Sequence, residues 1–276
     1  MKILVLGGTG FFGRYLVAEL RRRGHTIVLG TREHQVHARS DSFYCDIEKE
    51  KYDPIERFPR FDALIFLAWT NLFRENRNSR IHVEFREKSE KFFESIVNWM
   101  PRRVVVSGSC EEYGLNEGNC KDDDQVIPTT LYGIQKNELR LHLGKICASA
   151  GSDLLWLRFF YLYGNGLRGD SLFSALNAAN ARNDMNFTLE TSGLQRLDYL
   201  NVEDAAKITS ELIERSKGNG IYNVGSGVAK TLREHLEGWK IENDWKINIR
   251  YASEERSINR PMAQYADLER VRKILG

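Results

Sequence analysis

Short apolar segments alternate with longer segments of helical periodicity over the first 110 residues of the chain. Apolar runs of this length are typical of strands that are buried on both faces of a parallel sheet. The predicted strands are residues 2–6, 27–29, 43–45, 63–68 and 103–106, and the predicted helices are residues 12–23 and 80–99. Repeated strand–helix–strand units predict a parallel, doubly wound sheet with right-handed crossovers.

The second half of the chain is less regular. Helices are predicted at residues 131–149 and 204–215, and strands at residues 154–160 and 220–224. Two stretches fall outside the strand–helix pattern, residues 165–193 and 228–276. We expect them to form a small C-terminal substrate lobe beside an α/β, doubly wound parallel sheet built from residues 1–164 and 194–227.

Three glycines follow the first predicted strand and open the first predicted helix. Gly7, Gly10 and Gly13 have the spacing G-x-x-G-x-x-G. A dinucleotide pyrophosphate needs close backbone approach, which a Cβ atom would block, and free N–H groups at a helix N-terminus, where the helix dipole favours anions. The third glycine would let the helix pack against the sheet. The loop predicts a Rossmann domain that binds a dinucleotide, with a glycine turn between packed elements as the alternative.

The end of the second predicted strand bears on the choice between NAD and NADP. An acidic residue there accepts the ribose hydroxyls of NAD, whereas a basic residue accommodates the 2′-phosphate of NADP. Thr31 and Arg32 stand at this position, ahead of the first acid at Glu33. NADP is therefore favoured, because an arginine can pair with a phosphate through two nitrogens. NAD is the alternative cofactor. A solvated surface charge is the alternative for Arg32, and Asp46 is a candidate acceptor for the adenine amino group or a helix cap.

Composition and charge argue against several classes of protein. The 276 residues include 40 Lys and Arg and 38 Asp and Glu, a net charge of +2 that gives no reason to expect nucleic acid as a partner. No membrane association is expected, because the longest apolar run, residues 63–69, is far shorter than the roughly 18 residues of a membrane-spanning helix. The N-terminus lacks a signal-peptide pattern, and the cysteines match neither a metal site nor a disulfide framework, which predicts a cytoplasmic location. His34 and His37 are closely spaced, but without further ligands no metal site is expected.

Tyr132 and Lys136 are four residues apart on a predicted helix and therefore share one face. A tyrosine has a reference pKa of about 10, too high for acid–base catalysis at neutral pH, and a nearby ammonium or oxidised nicotinamide would favour the phenolate. Such a pair alone is a common surface contact. Its significance comes from residues 107–114 (SGSCEEYG), which follow the strand at 103–106, because ligands of doubly wound sheets bind at the carboxyl ends of the strands.

Together these motifs resemble the extended short-chain dehydrogenase/reductase family of NAD(P)-dependent nucleotide-sugar epimerases, dehydratases and reductases. The similarity is greatest to nucleotide-diphosphate 4-keto-6-deoxyhexose reductases. It extends over nearly the whole chain. Its further motifs are Leu67-Ala68, Ser109 ahead of Tyr113-Gly114, Pro128 ahead of Tyr132, Arg158 ahead of Tyr163-Gly164, residues 196–205 (RLDYLNVEDA) and residues 222–225 (YNVG).

The resemblance implies roles for individual residues. Tyr132 would be the catalytic acid–base, Lys136 would lower its pKa and hold the nicotinamide ribose, and Ser109 would hydrogen bond the reacting sugar oxygen. Arg196 and Arg260 would grip the substrate diphosphate, with a surface salt bridge as the alternative for each. The implied cofactor-binding residues are Gly7, Gly10, Phe11, Phe12, Gly13, Thr31, Arg32, Asp46, Ile47, Leu67, Ala68, Tyr132, Lys136 and Phe160. The implied substrate-binding residues are Ser109, Cys110, Tyr161, Arg196 and Arg260.

Two positions depart from the family pattern. Tyr161 stands where the family often has an asparagine that contacts the sugar or its phosphate. Gln135 replaces the serine of the usual Y-x-x-S-K motif.

The resemblance leaves the reaction open. Arg32 favours NADPH, and NADPH favours net reduction of the 4-keto group of a nucleotide-diphosphate 4-keto-6-deoxyhexose. Glu111 stands where dehydratase relatives carry a carboxylate that moves a proton at C5, so it is a further candidate catalytic residue. A nucleotide-sugar epimerase, 4,6-dehydratase or decarboxylase with tightly bound NAD is an alternative, and a non-catalytic NADP-binding regulatory protein is an alternative of another class.

The helices at residues 80–99 and 131–149 are candidates for a homodimer contact, although the charges on the first also suit a solvated face.

Overall fold

The computed structural model describes residues 1–32, 42–58, 60–70, 77–167, 171–184, 186–253 and 261–276. Its strands are β1 (Lys2–Leu6), β2 (Thr26–Thr31), β3 (Ser42–Asp46), β4 (Lys51–Tyr52), β5 (Ala63–Phe66), β6 (Arg103–Ser109), β7 (Gly118–Cys120), β8 (Asp153–Phe159), β9 (Tyr161–Tyr163), β10 (Asn186–Leu189), β11 (Arg196–Leu197), β12 (Tyr199–Asn201), β13 (Gly220–Val224), β14 (Lys230–Thr231), β15 (Asn248–Tyr251) and β16 (Ala263–Ala266). Its helices are α1 (Phe11–Arg22), α2 (Ile81–Ser95), α3 (Leu131–Ala150), α4 (Leu172–Ala181), α5 (Val202–Arg215), α6 (Leu232–Glu242) and α7 (Glu269–Leu275).

Eight of the described strands form one sheet in the order β13-β8-β6-β5-β1-β2-β3-β4. Neighbouring strands from β13 to β3 are parallel, and β4 is an antiparallel edge strand. This arrangement confirms the predicted α/β class with a doubly wound parallel sheet.

Alternate residues of the strands face opposite layers of helices. In β1, Ile3 and Val5 belong to an apolar core shared with α1 and α5, whereas Leu4 and Leu6 belong to a core shared with α2 and α3. All four side chains are at most 2% exposed. Because both faces of the sheet are covered, successive positions of the strand must be apolar, which explains the unbroken apolar run at residues 3–6.

Several predicted elements end earlier than expected. The helix predicted at residues 80–99 stops at Ser95 and continues as a 3₁₀ turn at Val97–Trp99. The strand predicted at residues 154–160 stops at Phe159, because the Tyr161 N–H donates to the Asp198 carbonyl and starts β9, which pairs with β12. The chain therefore leaves the large sheet at residue 160 and carries Tyr161 towards the second lobe.

A separate apolar core lies outside the large sheet and joins the two stretches that are expected to form the small lobe. It contains Phe173 of α4 and Trp239 of α6, and β10 and β15 pair beside it. The helix α7 lies within residues 228–276, which are predicted to belong to the small lobe. Its Val271 packs in the core of the large sheet that is shared with α1 and α5. Its apolar residues complete the cover of that face of the large sheet.

Asp198 connects the segments around this second core to the large sheet. Its buried carboxylate accepts hydrogen bonds from the N–H groups of Ser226 (2.6 Å), Gly227 (2.9 Å) and Ala266 (3.0 Å). Since a buried carboxylate needs such partners, these bonds hold the loop after β13 and the strand β16 in one position.

Candidate active site

The glycine loop is packed so closely that there is no room for a side chain at Gly7 or Gly13. Gly7 has φ +85°, and a Cβ atom there would lie 2.7 Å from the Ala68 nitrogen. A Cβ atom on Gly13 would lie 2.2 Å from the Gly7 carbonyl oxygen. The helix α1 starts directly after Gly10, its N-cap residue, which provides no side-chain hydrogen bond. The loop thus has the exposed backbone and helix N-terminus that fit a dinucleotide pyrophosphate.

A cavity of about 320 Å³ lies beside this loop at the carboxyl ends of β1, β2 and β5. Of the predicted cofactor residues, its lining includes Gly7, Gly10, Thr31, Arg32, Ile47, Leu67 and Ala68. A Glu48 carboxylate oxygen lies 3.2 Å from Arg32 Nη1, and both side chains are exposed. Sequence reasoning missed Glu48, because its approach to Arg32 depends on the pairing of β2 with β3.

The side chain of Asp46 is engaged locally. Its Oδ1 accepts the Lys49 N–H at 3.2 Å, and its Oδ2 lies 3.4 Å from Lys49 Nζ. Asp46 is 3% exposed and is not among the residues that line the cavity. The Asp46 carboxylate therefore closes the turn at residues 47–50 rather than capping a helix, and its contact with adenine stays a prediction.

A second cavity, of about 540 Å³, brings together several of the predicted catalytic and substrate residues. Ser109, Cys110, Glu111, Tyr132, Phe160 and Tyr161 line it. Its lining also includes aromatic residues that sequence reasoning missed, because they come from β9, β12, α4 and α6: Tyr163, Phe173, Tyr199 and Trp239. Among the described lining residues, Arg77 and Glu111 are the ones that carry charge.

Ser109 is positioned by a buried network beneath the end of β6. The Glu112 carboxylate accepts the Ser109 N–H at 2.8 Å, the Trp156 indole N–H at 2.9 Å and the Arg158 Nε–H at 2.8 Å. Glu112 is fully buried and Arg158 is 1% exposed. Because the Ser109 hydroxyl also accepts the Glu111 N–H at 3.2 Å, both the backbone and the side chain of Ser109 are held in place.

Tyr132 is a buried side chain whose ionisation is controlled by its neighbours. Burial raises the pKa of its phenol well above the usual value, while the Arg77 guanidinium lowers that pKa and the Glu111 carboxylate raises it. Ser109 also lowers the pKa of Tyr132. Both residues line the larger cavity, so the structure brings their side chains to one site.

Lys136 shares the inner face of α3 with Tyr132, but its ammonium is directed elsewhere. Its Nζ donates to the Ser107 carbonyl at 2.6 Å and lies 4.0 Å from the centre of the Trp69 ring, compared with 5.9 Å for the Tyr132 ring. Burial lowers the pKa of Lys136 to about 7, against the opposing effect of Glu112. Trp69, whose indole N–H donates to His82 Nδ1 at 3.2 Å, was also missed by sequence reasoning.

The remaining predicted residues have varied positions. Arg196 is exposed on β11 and lines neither cavity, and Arg260 lies outside the described residues. Phe11 lines the larger cavity, and Phe12 packs against Phe159 with ring centres 4.7 Å apart. Phe160 is 3% exposed and packs in a small core with Cys110 and Tyr113.

The described part of the chain shows neither a metal site nor a membrane helix. None of its groups of histidine, cysteine, aspartate and glutamate could hold a metal ion, and His34 and His37 lie outside that part. No helix among the described residues has the length and apolar character that a membrane crossing requires.

Comparisons with known proteins give consistent results. Residues 3–225 match the model of the NAD dependent epimerase/dehydratase family. A dTDP-6-deoxy-L-talose 4-dehydrogenase (NAD(+)) from Aggregatibacter actinomycetemcomitans is 29% identical over 260 residues, which cover 91% of this chain and 94% of that protein.

Two solved structures show the same fold. MoeE5 in complex with UDP-glucuronic acid and NAD has a TM-score of 0.82 at 24% identity, covering 100% of this chain and 93% of its own. UDP-glucose 4-epimerase from Thermotoga maritima, with UDP-glucose, has a TM-score of 0.79 at 19% identity, covering 99% and 92%.

Proposed function

The chain belongs to the NAD dependent epimerase/dehydratase family, and on that premise we propose that it is an NADPH-dependent reductase of a nucleotide-diphosphate 4-keto-6-deoxyhexose. The observation that carries the proposal is the 540 Å³ cavity, in which a proton donor, Tyr132, and a hydroxyl, Ser109, lie among aromatic residues. The relative from Aggregatibacter actinomycetemcomitans supports the position of the reaction, because it is named as a 4-dehydrogenase of a 6-deoxy sugar. Reduction of a 4-keto group is the reverse of such a dehydrogenation.

The lining of this cavity suits a sugar without a charged group at C6. The charges among its described lining residues are Arg77 and Glu111, whose Nε and Oε1 atoms are paired at 3.2 Å. The two charges offset each other, so the described lining residues have no net positive charge that would attract a uronate. The half-buried rings of Tyr163 and Tyr199 on this lining favour a methyl group or a stacked base.

The proposed chemistry follows from the side chains at the end of β6 and on α3. The hydride for the carbonyl carbon would come from a reduced nicotinamide bound beside these residues. Tyr132 gives its proton to the oxygen that becomes an alkoxide, and Ser109 donates a hydrogen bond to the same oxygen. Lys136, whose buried Nζ lies on the same helix face as Tyr132, would hold the nicotinamide ribose. Fixed donors of this kind stabilise the developing charge without reorganisation.

The proposed cofactor preference rests on Arg32. Its side chain is 68% exposed on the lining of the smaller cavity, where a 2′-phosphate could replace the Glu48 carboxylate as its partner. NAD is the cofactor in the names of the relative and of the MoeE5 structure, so NAD is the alternative. The glycine cradle fits either dinucleotide.

Two observations support reactions other than 4-keto reduction. Glu111 lies on the wall of the cavity, where Thr130 Oγ1 donates to its Oε2 at 2.9 Å, so a carboxylate is available for proton transfer at C5 in a 4,6-dehydratase. The fold is also shared with UDP-sugar 4-epimerases, which favours an epimerase with tightly bound NAD as the second candidate.

The substrate proposal is tested with purified protein, NADPH or NADH, and a panel of nucleotide-diphosphate 4-keto-6-deoxy sugars. We expect loss of the reduced-nicotinamide absorbance with at least one sugar, and a higher kcat/KM with NADPH than with NADH. Isomerisation of a nucleotide sugar by protein that is purified with bound NAD, without net oxidation of NADPH, would replace the reductase with the epimerase.

The oligomeric state is part of the same proposal. We propose a homodimer through the neighbouring helices α2 and α3, and a cytoplasmic location for the enzyme. Much of this surface is charged, since Arg86 pairs with Glu90 at 2.5 Å and with Glu138 at 3.3 Å. Sedimentation at several salt concentrations tests the dimer, and a monomer at every concentration would exclude it.

A further inference from the structure

Arg77 is the cation that lies against the ring of Tyr132. The centre of its guanidinium is 4.8 Å from the ring centre. Its carbonyl oxygen accepts the Tyr132 N–H at 2.9 Å, and the next residue, Asn78, accepts the Leu131 N–H at 3.0 Å through its side chain. The segment that begins at residue 77 is therefore docked on the first turn of α3 through both its backbone and its side chains.

The Glu111 carboxylate holds this guanidinium in place. Its Oε1 lies 3.2 Å from Arg77 Nε, and its Oε2 accepts a hydrogen bond from Thr130 Oγ1 at 2.9 Å. Thr130 is the N-cap of α3, since its hydroxyl also accepts the Gly133 N–H at 3.1 Å. Arg77, Glu111 and Thr130 thus form a chain of contacts around the start of the helix that presents Tyr132.

The Lys136 ammonium is a second cation near the Tyr132 ring, but it lies farther from the ring and its charge depends more on pH. Its ammonium lies farther from the Tyr132 ring, at 5.9 Å, and bonds to the Ser107 carbonyl. A guanidinium stays protonated throughout the physiological range, whereas burial lowers the pKa of Lys136 to about 7. Among the described residues, the permanent positive charge near the phenol before a cofactor binds is that of Arg77.

We propose that Arg77 is a positioning residue for Tyr132: its guanidinium, oriented by Glu111, lies on the phenol ring and stabilises the phenolate. A cation over an aromatic face is attracted by the ring electrons, and the attraction increases when the ring becomes an anion. Glu111 has two opposing effects, because it orients the helpful cation and also repels the phenolate. The inference rests on the proposed role of Tyr132 as the proton donor.

Other groups also face Tyr132, and the test must separate them from Arg77. The charged and titratable side chains around it are Arg77, Cys110, Glu111, Lys136 and His82, the last with its ring centre 5.4 Å from that of Tyr132. Arg77→Gln removes the cation, whereas Glu111→Gln removes the repelling charge and keeps an amide oxygen that can accept from Arg77, so the two changes have opposite predicted effects on the pKa of Tyr132.

The test measures the ionisation of Tyr132 directly. The protein is labelled with a trifluorinated tyrosine, whose phenol is so much more acidic than that of tyrosine that its titration falls at a pH the folded protein tolerates. The Tyr132 resonance is identified by its loss in Tyr132→Phe. Its pKa is then followed by fluorine NMR in the free protein and with oxidised NADP. We expect Arg77→Gln to raise this pKa by about 1–3 units, Arg77→Lys to restore at least half of the shift, and Glu111→Gln to lower the pKa.

Arg23→Gln is the matched control. Arg23 is 19% exposed and pairs with Glu19, Glu211 and Glu214, outside the two cavities, so its removal should leave the Tyr132 titration unchanged. An unchanged titration in Arg77→Gln, or shifts of the same sign in Arg77→Gln and Glu111→Gln, would overturn the inference. Since no sugar substrate is used, failure of the reductase proposal leaves this result interpretable.

Discussion

The glycine loop and the larger cavity lie at the same edge of the large sheet, but they are built in different ways. The loop is local: residues 7–13 supply the cradle, and its tightest approach joins Gly7 to Gly13. The cavity is assembled from β6, β9, β12, α3, α4 and α6. A backbone site can be encoded in one short motif, whereas a side-chain site depends on contacts between residues that are far apart in the chain.

The largest effect on turnover is expected in the larger cavity. Tyr132→Phe removes the proposed proton donor, so we expect turnover to fall by about 10²–10⁴-fold with cofactor affinity nearly unchanged. Steady-state rates and cofactor titration measure the two effects separately. Tyr15→Phe is the control, since the Tyr15 hydroxyl donates to the Asn165 carbonyl outside the catalytic residues and its loss should leave turnover intact. Retained turnover in Tyr132→Phe would remove Tyr132 from the mechanism.

The buried support of Ser109 is expected to show the next largest effect. Glu112→Gln leaves the Arg158 guanidinium buried without its carboxylate partner, which costs about 3–5 kcal/mol of unfolding free energy. Urea denaturation measures the change. The control is Glu237→Gln, which breaks the exposed pair with Lys240 and should cost at most about 1 kcal/mol. Equal losses in the two variants would contradict the supporting role of Glu112.

Gly13→Ala tests the local construction of the loop. The added Cβ atom would meet the Gly7 carbonyl oxygen at 2.2 Å, with backbone on every nearby side, so we expect a loss of about 1–3 kcal/mol in stability together with weaker dinucleotide binding. Gly144→Ala is the matched control, because a Cβ atom at this position of α3 would meet no atom within 4 Å outside its own stretch of helix. Thermal unfolding and cofactor titration should be affected by the first substitution, whereas the second should slightly stabilise the helix.

The smallest effect concerns the choice of cofactor. Arg32→Gln should raise the KM for NADPH by about tenfold, equivalent to the loss of about 1.4 kcal/mol, and should leave the KM for NADH unchanged. Glu48→Gln should lower the KM for NADPH, because it frees Arg32 from its present partner. Equal changes with both cofactors would show that Arg32 does not contact a 2′-phosphate.

The difference between the two sites also explains how much could be predicted from the sequence. The strand–glycine–helix order predicted the doubly wound sheet, and the spacing of Tyr132 and Lys136 placed both on one helix face, as the structure shows. Arg77 could not be found in this way, since no motif surrounds it and its contact with Tyr132 arises only when the segment at residue 77 docks on α3. Asp46 illustrates the same limit: its carboxylate bonds to Lys49, which is nearby in the chain, rather than lining the cavity.

The sequence alone determined the fold class, because periodicity encodes it, and it predicted the cofactor loop from the spacing of three glycines and the Ser109, Tyr132 and Lys136 set from the family resemblance. Tertiary structure decided which charge lies nearest to Tyr132, which carboxylate faces Arg32 and which aromatic residues line the larger cavity. These features depend on how distant strands and helices pack, and side-chain direction after packing is not encoded in any local pattern.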